Sequence, residues 1–231
     1  MQTQRSKCVF PTELAYPVGL ILLAMGTAFM EMADFGLSMV VAPAYLLHRK
    51  LSPLWPFFTF GAAEYVLQFV LLLLMIAVVR RFRVSYLFSA VTAVVYGFLL
   101  DGAMAVSAPL VPQTMAARLV IWIGGMLLCS AGISFLMHTY ISPEVYELFV
   151  KEVAAKWNFT IPRTKTVYDC ISCAAAIVLS FCFFGWGQFE GVKAGTVICA
   201  LLNGWSIGVF SRIFERIWDF RDAWKLRRFF E

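Results

Sequence analysis

The sequence predicts an all-α membrane protein of six transmembrane helices, built as two inverted three-helix repeats with short re-entrant or interfacial helices between them. Composition, the sidedness of the basic residues and a faint internal duplication predict it. Of the 231 residues, 61% are hydrophobic and 14% charged, whereas soluble domains carry about a quarter charged residues. Stretches 14–30, 119–137, 171–186 and 194–210 hold no charge at all. Each is about the length that crosses a hydrocarbon layer of roughly 30 Å.

Taken in order, the apolar runs predict helices over 14–33, 57–79, 84–104, 119–139, 166–184 and 188–210. Glu64 and Asp101 interrupt the second and third. Between the first two lies LSMVVAPAYLL, residues 37–47, apolar but too short to cross. It predicts a re-entrant or interfacial segment with Pro43 in the first turn of a short helix. Ser142 and Pro143 read as a cap and first-turn pair opening a helix through about residue 157, with Val145, Leu148, Phe149 and Val153 on one face. The tail 212–231 mixes Trp218, Phe220, Trp224, Phe229 and Phe230 with basic residues and predicts an interfacial amphipathic helix on anionic lipid. The opening MQTQRSKCVFPTEL has no short apolar region with a small-residue cleavage site, so no signal peptide is expected.

Sidedness follows from the 19 Lys and Arg residues, which are retained on the cytoplasmic side because translocating them is disfavoured. With the amino terminus inside, only Arg49, Lys50, Arg118 and Lys193 fall outside. The imbalance predicts both termini cytoplasmic and an even number of crossings.

The duplication is read from four matches in the same order. FLLDG (98–102) pairs with ALLNG (200–204), GLILLAMGTAFM (19–30) with GMLLCSAGISFLM (125–137), Ala42-Pro43 with Ser142-Pro143, and Glu64-Tyr65 with Tyr168-Asp169. The matches predict one repeat over 14–106 and a second over 119–211 within a single membrane domain. Three crossings per copy require the second copy to be inserted upside down. Inverted repeats are an architecture of secondary transporters, because two similar halves can exchange conformations and alternate access.

Ionisable groups inside membrane segments are costly and face a polar interior or a water-filled cavity. Glu31, Asp34, Glu64 and Asp101 map to the outer half, and His138, Asp169 and Asn203 to the inner half. Under the repeat, Glu64 pairs with Asp169, and Asp101 with Asn203. The functional reading takes Glu64, Asp101, Asp169 and Asn203, with Glu31 and Asp34, as substrate- or ion-binding candidates around a central site. Clustered carboxylates there would raise one another's proton affinity and permit proton coupling or cation binding. The structural reading has the same groups capping helices, holding lipid headgroups or tying helices together. His138 reads as a snorkelling or hydrogen-bonded residue. Gly204 and Gly208, at GxxxG spacing, read as a close helix contact.

Other chemistry is poorly supported. Cys170 and Cys173 share a helix face, yet no further ligand set accompanies them, so neither a metal nor a redox site is expected. The six cysteines imply no disulfide framework, and no cofactor motif or convergent nucleophile and base is present. An enzyme is not expected. The net charge of +5 sits in loops rather than on a basic stripe, which argues against nucleic acid.

The runs GTAFMEMADFGLSMVVAPAYLL (26–47) and FTFGAAEYVLQ (58–68) resemble the YczE and YitT group of bacterial multi-pass membrane proteins, and are most similar to its YczE-like branch. The resemblance implies a multi-pass transporter-like protein of undefined substrate, and carries over no binding residue. The chain departs from the YitT pattern in lacking a long soluble carboxy-terminal domain. The expected function is transport of a small polar or charged molecule, with membrane lipids and that substrate as partners and homo-oligomerisation left open. Two alternatives stand beside it: a scaffold or accessory protein for a partner complex, and a substrate-binding subunit of a multi-component importer.

Overall fold

A computed structural model describes residues 8–83, 85–110, 112–187 and 189–223. Helices α1 (Thr12–Ala33), α3 (Phe60–Val79), α4 (Ser85–Ser107), α5 (Met115–Met137), α7 (Ile161–Phe184) and α8 (Ala194–Ile217) are the long ones. All six are long and apolar enough to cross a membrane. Two short helices, α2 (Ala42–Leu51) and α6 (Val145–Trp157), follow α1 and α5 respectively. Strand β1 (Cys8–Pro11) pairs in parallel with β2 (Trp218–Arg221). That pairing puts both ends of the described chain on one face of the bundle, hereafter the terminal face.

Local chemistry sets the helix ends. Thr59 and Thr114 cap α3 and α5 by accepting from the N–H groups of Ala62 and Ala117. Asp34, Arg80 and Asn158 close α1, α3 and α6 in the left-handed conformation. The last helix starts six residues later than the apolar run suggests, because Gly191 is left-handed and Lys193 is extended, its N–H held by Thr196 Oγ1 at 3.4 Å.

Helices α1 and α5 form the most closely packed pair, and they run antiparallel. A Cβ added at Gly19 would lie 2.9 Å from the Gly132 carbonyl oxygen, and one at Gly26 would lie 2.7 Å from that of Gly125. The reciprocal contacts are equally close: Gly132 against Gly19, and Gly125 against Gly26, each at 2.7 Å. The repeat equates Gly19 with Gly125 and Gly26 with Gly132, so exchanging the halves maps one contact onto the other. Leu23 and Cys129 are also equivalent, and they face each other, Cys129 Sγ lying 3.7 Å from the Leu23 carbonyl. A pseudo-twofold axis therefore passes between α1 and α5 at this level.

The short helices obey the same exchange. Each packs between a long helix of its own half and one of the other, α2 between α3 and α7 and α6 between α7 and α3. Lys156 on α6 donates to the Val78 carbonyl near the end of α3 at 2.6 Å, and Lys50 on α2 donates to Phe183 near the end of α7 at 3.1 Å. Both lysines meet the negative end of a helix. Both short helices are re-entrant: a non-helical lead-in enters the bundle and the helix returns to the side it came from.

Several expectations need correction. Helix α6 begins at Val145 with Glu144 as its N-cap. Ser142 and Pro143 belong to the lead-in, their carbonyls bonded by Thr92 and Ser89 of α4. The tail does not form an interfacial helix from residue 212: α8 continues to Ile217 and β2 follows. Trp218 and Phe220 pack with Phe10, Phe135 and Phe214 instead; Trp224, Phe229 and Phe230 lie outside the described residues. Among the described residues nothing lies within 4 Å of a Cβ added at Gly204 or Gly208, whereas Gly61 and Gly97 let α3 and α4 touch. Gly26→Leu is expected to lower stability by about 3 kcal/mol through overpacking at the axis, read as a lower unfolding midpoint in detergent. Gly204→Ala should change it by less than about 1 kcal/mol.

Candidate functional site: a buried carboxylate cluster at the tip of a re-entrant helix

The tip of α6 reaches Glu64 and Gln68 on α3, well inside the bundle. Gln68 Oε1 accepts the Val145 N–H at 3.2 Å, satisfying one of the free donors of the first helical turn. Gln68 Nε2 donates to Glu64 Oε2 at 3.4 Å, and the Tyr146 hydroxyl donates to the same oxygen at 2.8 Å. Glu64 is fully buried, and its Oε1 has no hydrogen-bond partner among the described residues. Glu144, also buried, leaves its own Oε1 without one.

Toward the terminal face the cluster gains its cation. Lys165 on α7 lies 3.4 Å from Glu147 Oε1 and 3.1 Å from Asp169 Oδ1, one helical turn along α7. All three side chains are buried. Four carboxyl groups thus share one lysine, whose charge is spent on the two nearest. Burial pushes the proton affinity of the Glu144 carboxyl well up, and the charges of Glu147 and Glu64 push the same way against Lys165. Burial, with the charge of Glu64, also raises the Tyr146 phenol, which stays a donor.

Two cavities open beside the ion pair. One of about 200 Å³ lies between α5 and α6 and is lined by Pro143, Glu147, Lys151 and Lys165. The other, about 460 Å³, separates α7 from α8; Lys165, Thr166 and Asp169 form its polar wall and Leu201, Gly204 and Trp205 part of its apolar one. A larger groove of about 610 Å³ between α3 and α4 is walled almost wholly by apolar side chains such as Val66, Phe69 and Val91. It carries no ionisable chemistry apart from Tyr65.

Of the sequence candidates, Glu64 and Asp169 join this cluster. Asp101 does not: it accepts from Thr59 Oγ1 at 2.6 Å and from Gly61 N at 2.8 Å, fixing the amino end of α3 at the face opposite the termini. Asn203 is buried on α8 and accepts from Ser130 Oγ at 3.4 Å. Glu31 accepts from Tyr45 at 3.4 Å, and Asp34 pairs with Lys193 at 2.6 Å, tying the two halves together. His138 sits between the Ser134 carbonyl and Glu215. Cys170 is exposed and Cys173 buried. Glu144, Glu147, Tyr146, Gln68 and Lys165 are functional candidates that pattern reading passes over. Lys165 counts there as a loop charge, and the two glutamates as the outer face of a surface helix. The spacing of Lys165 and Asp169, one turn apart at the start of an apolar run, is the signal that could have found the pair.

Six apolar crossings in two inverted halves, enclosing a polar cluster at a re-entrant tip, define a polytopic α-helical membrane protein. The chain belongs to a family of unknown function, DUF6198, whose model matches residues 10–212. That match spans every long helix except the end of α8, and carries no YczE or YitT name. No curated protein and no solved structure matches the chain.

Lys165→Met, which leaves Glu147 and Asp169 buried without a cation, is expected to cost about 3–5 kcal/mol. Adding Glu147→Gln and Asp169→Asn should recover most of it, measured by unfolding in detergent. The Glu144 carboxyl, held more basic in the fold than in the unfolded chain, contributes stability at low pH that is lost as pH rises through its folded value. Glu144→Gln is therefore expected to flatten the fall of the unfolding midpoint as pH rises above the ordinary carboxylate range.

Proposed function

We propose that the protein is a secondary transporter of a small polar or charged molecule in the bacterial inner membrane, working by alternating access between its inverted halves. The terminal face is cytoplasmic in this reading, since among the described residues every Lys and Arg except Arg49, Lys50, Arg118 and Lys193 lies toward it. The likeness of residues 26–47 and 58–68 to YczE-like proteins agrees with the same class.

One observation carries the proposal: equivalent helix pairs are closed unequally. On the outer side α3 and α4 meet backbone to backbone at Gly61 and Gly97, a Cβ on Gly97 falling 2.8 Å from the Gly61 oxygen, and Asp101 pins Thr59 and Gly61 across the contact. On the inner side the counterparts α7 and α8 are parted by the cavity of about 460 Å³ that reaches Lys165 and Asp169. Asn203, which the repeat equates with Asp101, bonds Ser130 of α5 rather than the start of α7. Two halves of like build that sit in unlike conformations are what alternating access requires. Exchanging the two arrangements would open the outer pair and close the inner one.

The test uses a background in which the six native cysteines are replaced. Gly204→Cys faces open space and should react with a membrane-impermeant maleimide from the cytoplasmic side. Wedging the outer contact with Gly97→Leu should slow that labelling several-fold and expose Ala63→Cys, fully buried in the present state, from the outside. Labelling of both probes that ignores the wedge would remove alternating access and favour a scaffold.

A further inference from the structure

The deep end of the cluster holds a second chemistry that the ion pair does not explain. Glu64 and Glu144 are 0% and 2% exposed, and the Oε1 atom of each has no partner among the described residues. An ionised carboxylate taken out of water without a counter-charge costs far more than the fold can spare. A cation must therefore sit with this pair, and the surroundings decide which. Tyr16 of α1, Tyr96 of α4, Cys129 of α5 and Tyr168 of α7 face it, and none of these side chains can supply a positive charge. Glu147 faces it as a further carboxyl, and Lys165 lends only distant charge while held by Glu147 and Asp169.

Space and donor geometry exclude larger cations. The walls of the two terminal-face cavities include Pro143, Glu147, Lys165 and Asp169 but neither Glu64 nor Glu144. The groups bonded to Glu64, the Gln68 amide and the Tyr146 hydroxyl, both point hydrogens at it. A bound metal ion needs several oxygen lone pairs turned inward instead. A proton needs no volume and only one oxygen.

We propose that Glu64 and Glu144 form a proton-binding pair, loaded from the cytoplasmic cavities by way of Glu147, whose occupancy holds the tip of α6 docked on α3. Gln68 is the mechanical link, because its side chain bonds Glu64 at one end and the first N–H of α6 at the other. On unloading, the proton passes from the Glu144 carboxyl to Glu147 and on to cavity water. The charge left behind draws Lys165 away from Asp169 or frees the α6 tip, either of which reshapes the wall of the α7–α8 cavity. The coupling of that movement to solute rests on the transporter reading; the proton site does not.

The experiment is infrared difference spectroscopy of the full chain in lipid nanodiscs. At neutral pH in sodium-free buffer the wild type should show protonated-carboxyl absorption that bleaches on alkaline titration, and Glu64→Gln and Glu144→Gln should each remove part of it. Absence of that absorption in the wild type, or its survival in both variants, would overturn the site. Bleaching by added sodium at constant pH would overturn it too, in favour of a metal cation. The labelling rate of Gly204→Cys, taken at each pH relative to a cysteine on the exposed terminal face, should follow the same titration and lose that dependence in Glu144→Gln. A normal infrared titration with relative labelling indifferent to pH would sink the proposed docking switch. If the wedge experiment fails while the infrared bands behave as described, the transporter reading falls and the proton site stands.

Discussion

Everything in this bundle is referred to the contact between α1 and α5. In lipid there is no hydrophobic gain from hiding one apolar helix against another, so association depends on close packing and on hydrogen bonds. Gly19 and Gly26 against Gly132 and Gly125 bring the two backbones within van der Waals reach at two levels, in opposite directions. Because the contacts are exchanged by the repeat, this one antiparallel interface fixes the axis on which the remaining helices are arranged. It also explains the interlock of the halves: once α1 and α5 are side by side, each re-entrant helix is carried onto a long helix of the other half.

Re-entrant backbone at membrane depth is tolerated where its polar groups are bonded within the protein. The lead-in to α6 meets that condition through Ser89 and Thr92, which donate to Pro143 and Ser142, and through the Ser142 hydroxyl, which donates to Ser85. The lead-in to α2 does so differently, the Gly36 carbonyl accepting from the Trp122 indole and that of Phe35 accepting from Gly195. The helix tips then diverge. Ala42-Pro43-Ala44 is buried among apolar neighbours, whereas Ser142-Pro143-Glu144 opens into the carboxylate cluster. The scaffold is twofold and the chemistry is not. One copy of the motif keeps the packing role, and the other holds the ionisable groups.

Among the ionisable residues, what pattern reading finds and misses follows from how each is recognised. Glu64 stands out because it breaks an apolar run, and the structure places it at the buried heart of the cluster. Asp101 breaks a run in the same way but is answered by Thr59 and Gly61 across the helix pair, a partner set that no single-segment pattern reveals. Glu144 and Glu147 sit in a helix too short to cross, where acidic residues look like a solvated face. Their burial comes from α3, far back in the chain, and from α7, folded back on α6 across a short turn. The strand pair linking Cys8–Pro11 to Trp218–Arg221 is likewise invisible locally, since each partner is four residues long and meaningless without the other.

The sequence by itself determined the class: long charge-free runs and a repeated order of glycines and prolines are properties of adjacent residues, and each dictates local structure without help from the rest. Tertiary structure alone decided which polar residues meet. Whether a carboxyl is a helix cap, half of an ion pair or an unpartnered group in the interior depends on which distant helix lies across from it. That is set by the packing of α1 on α5 and the insertion of α6, through forces that act across space rather than along the chain.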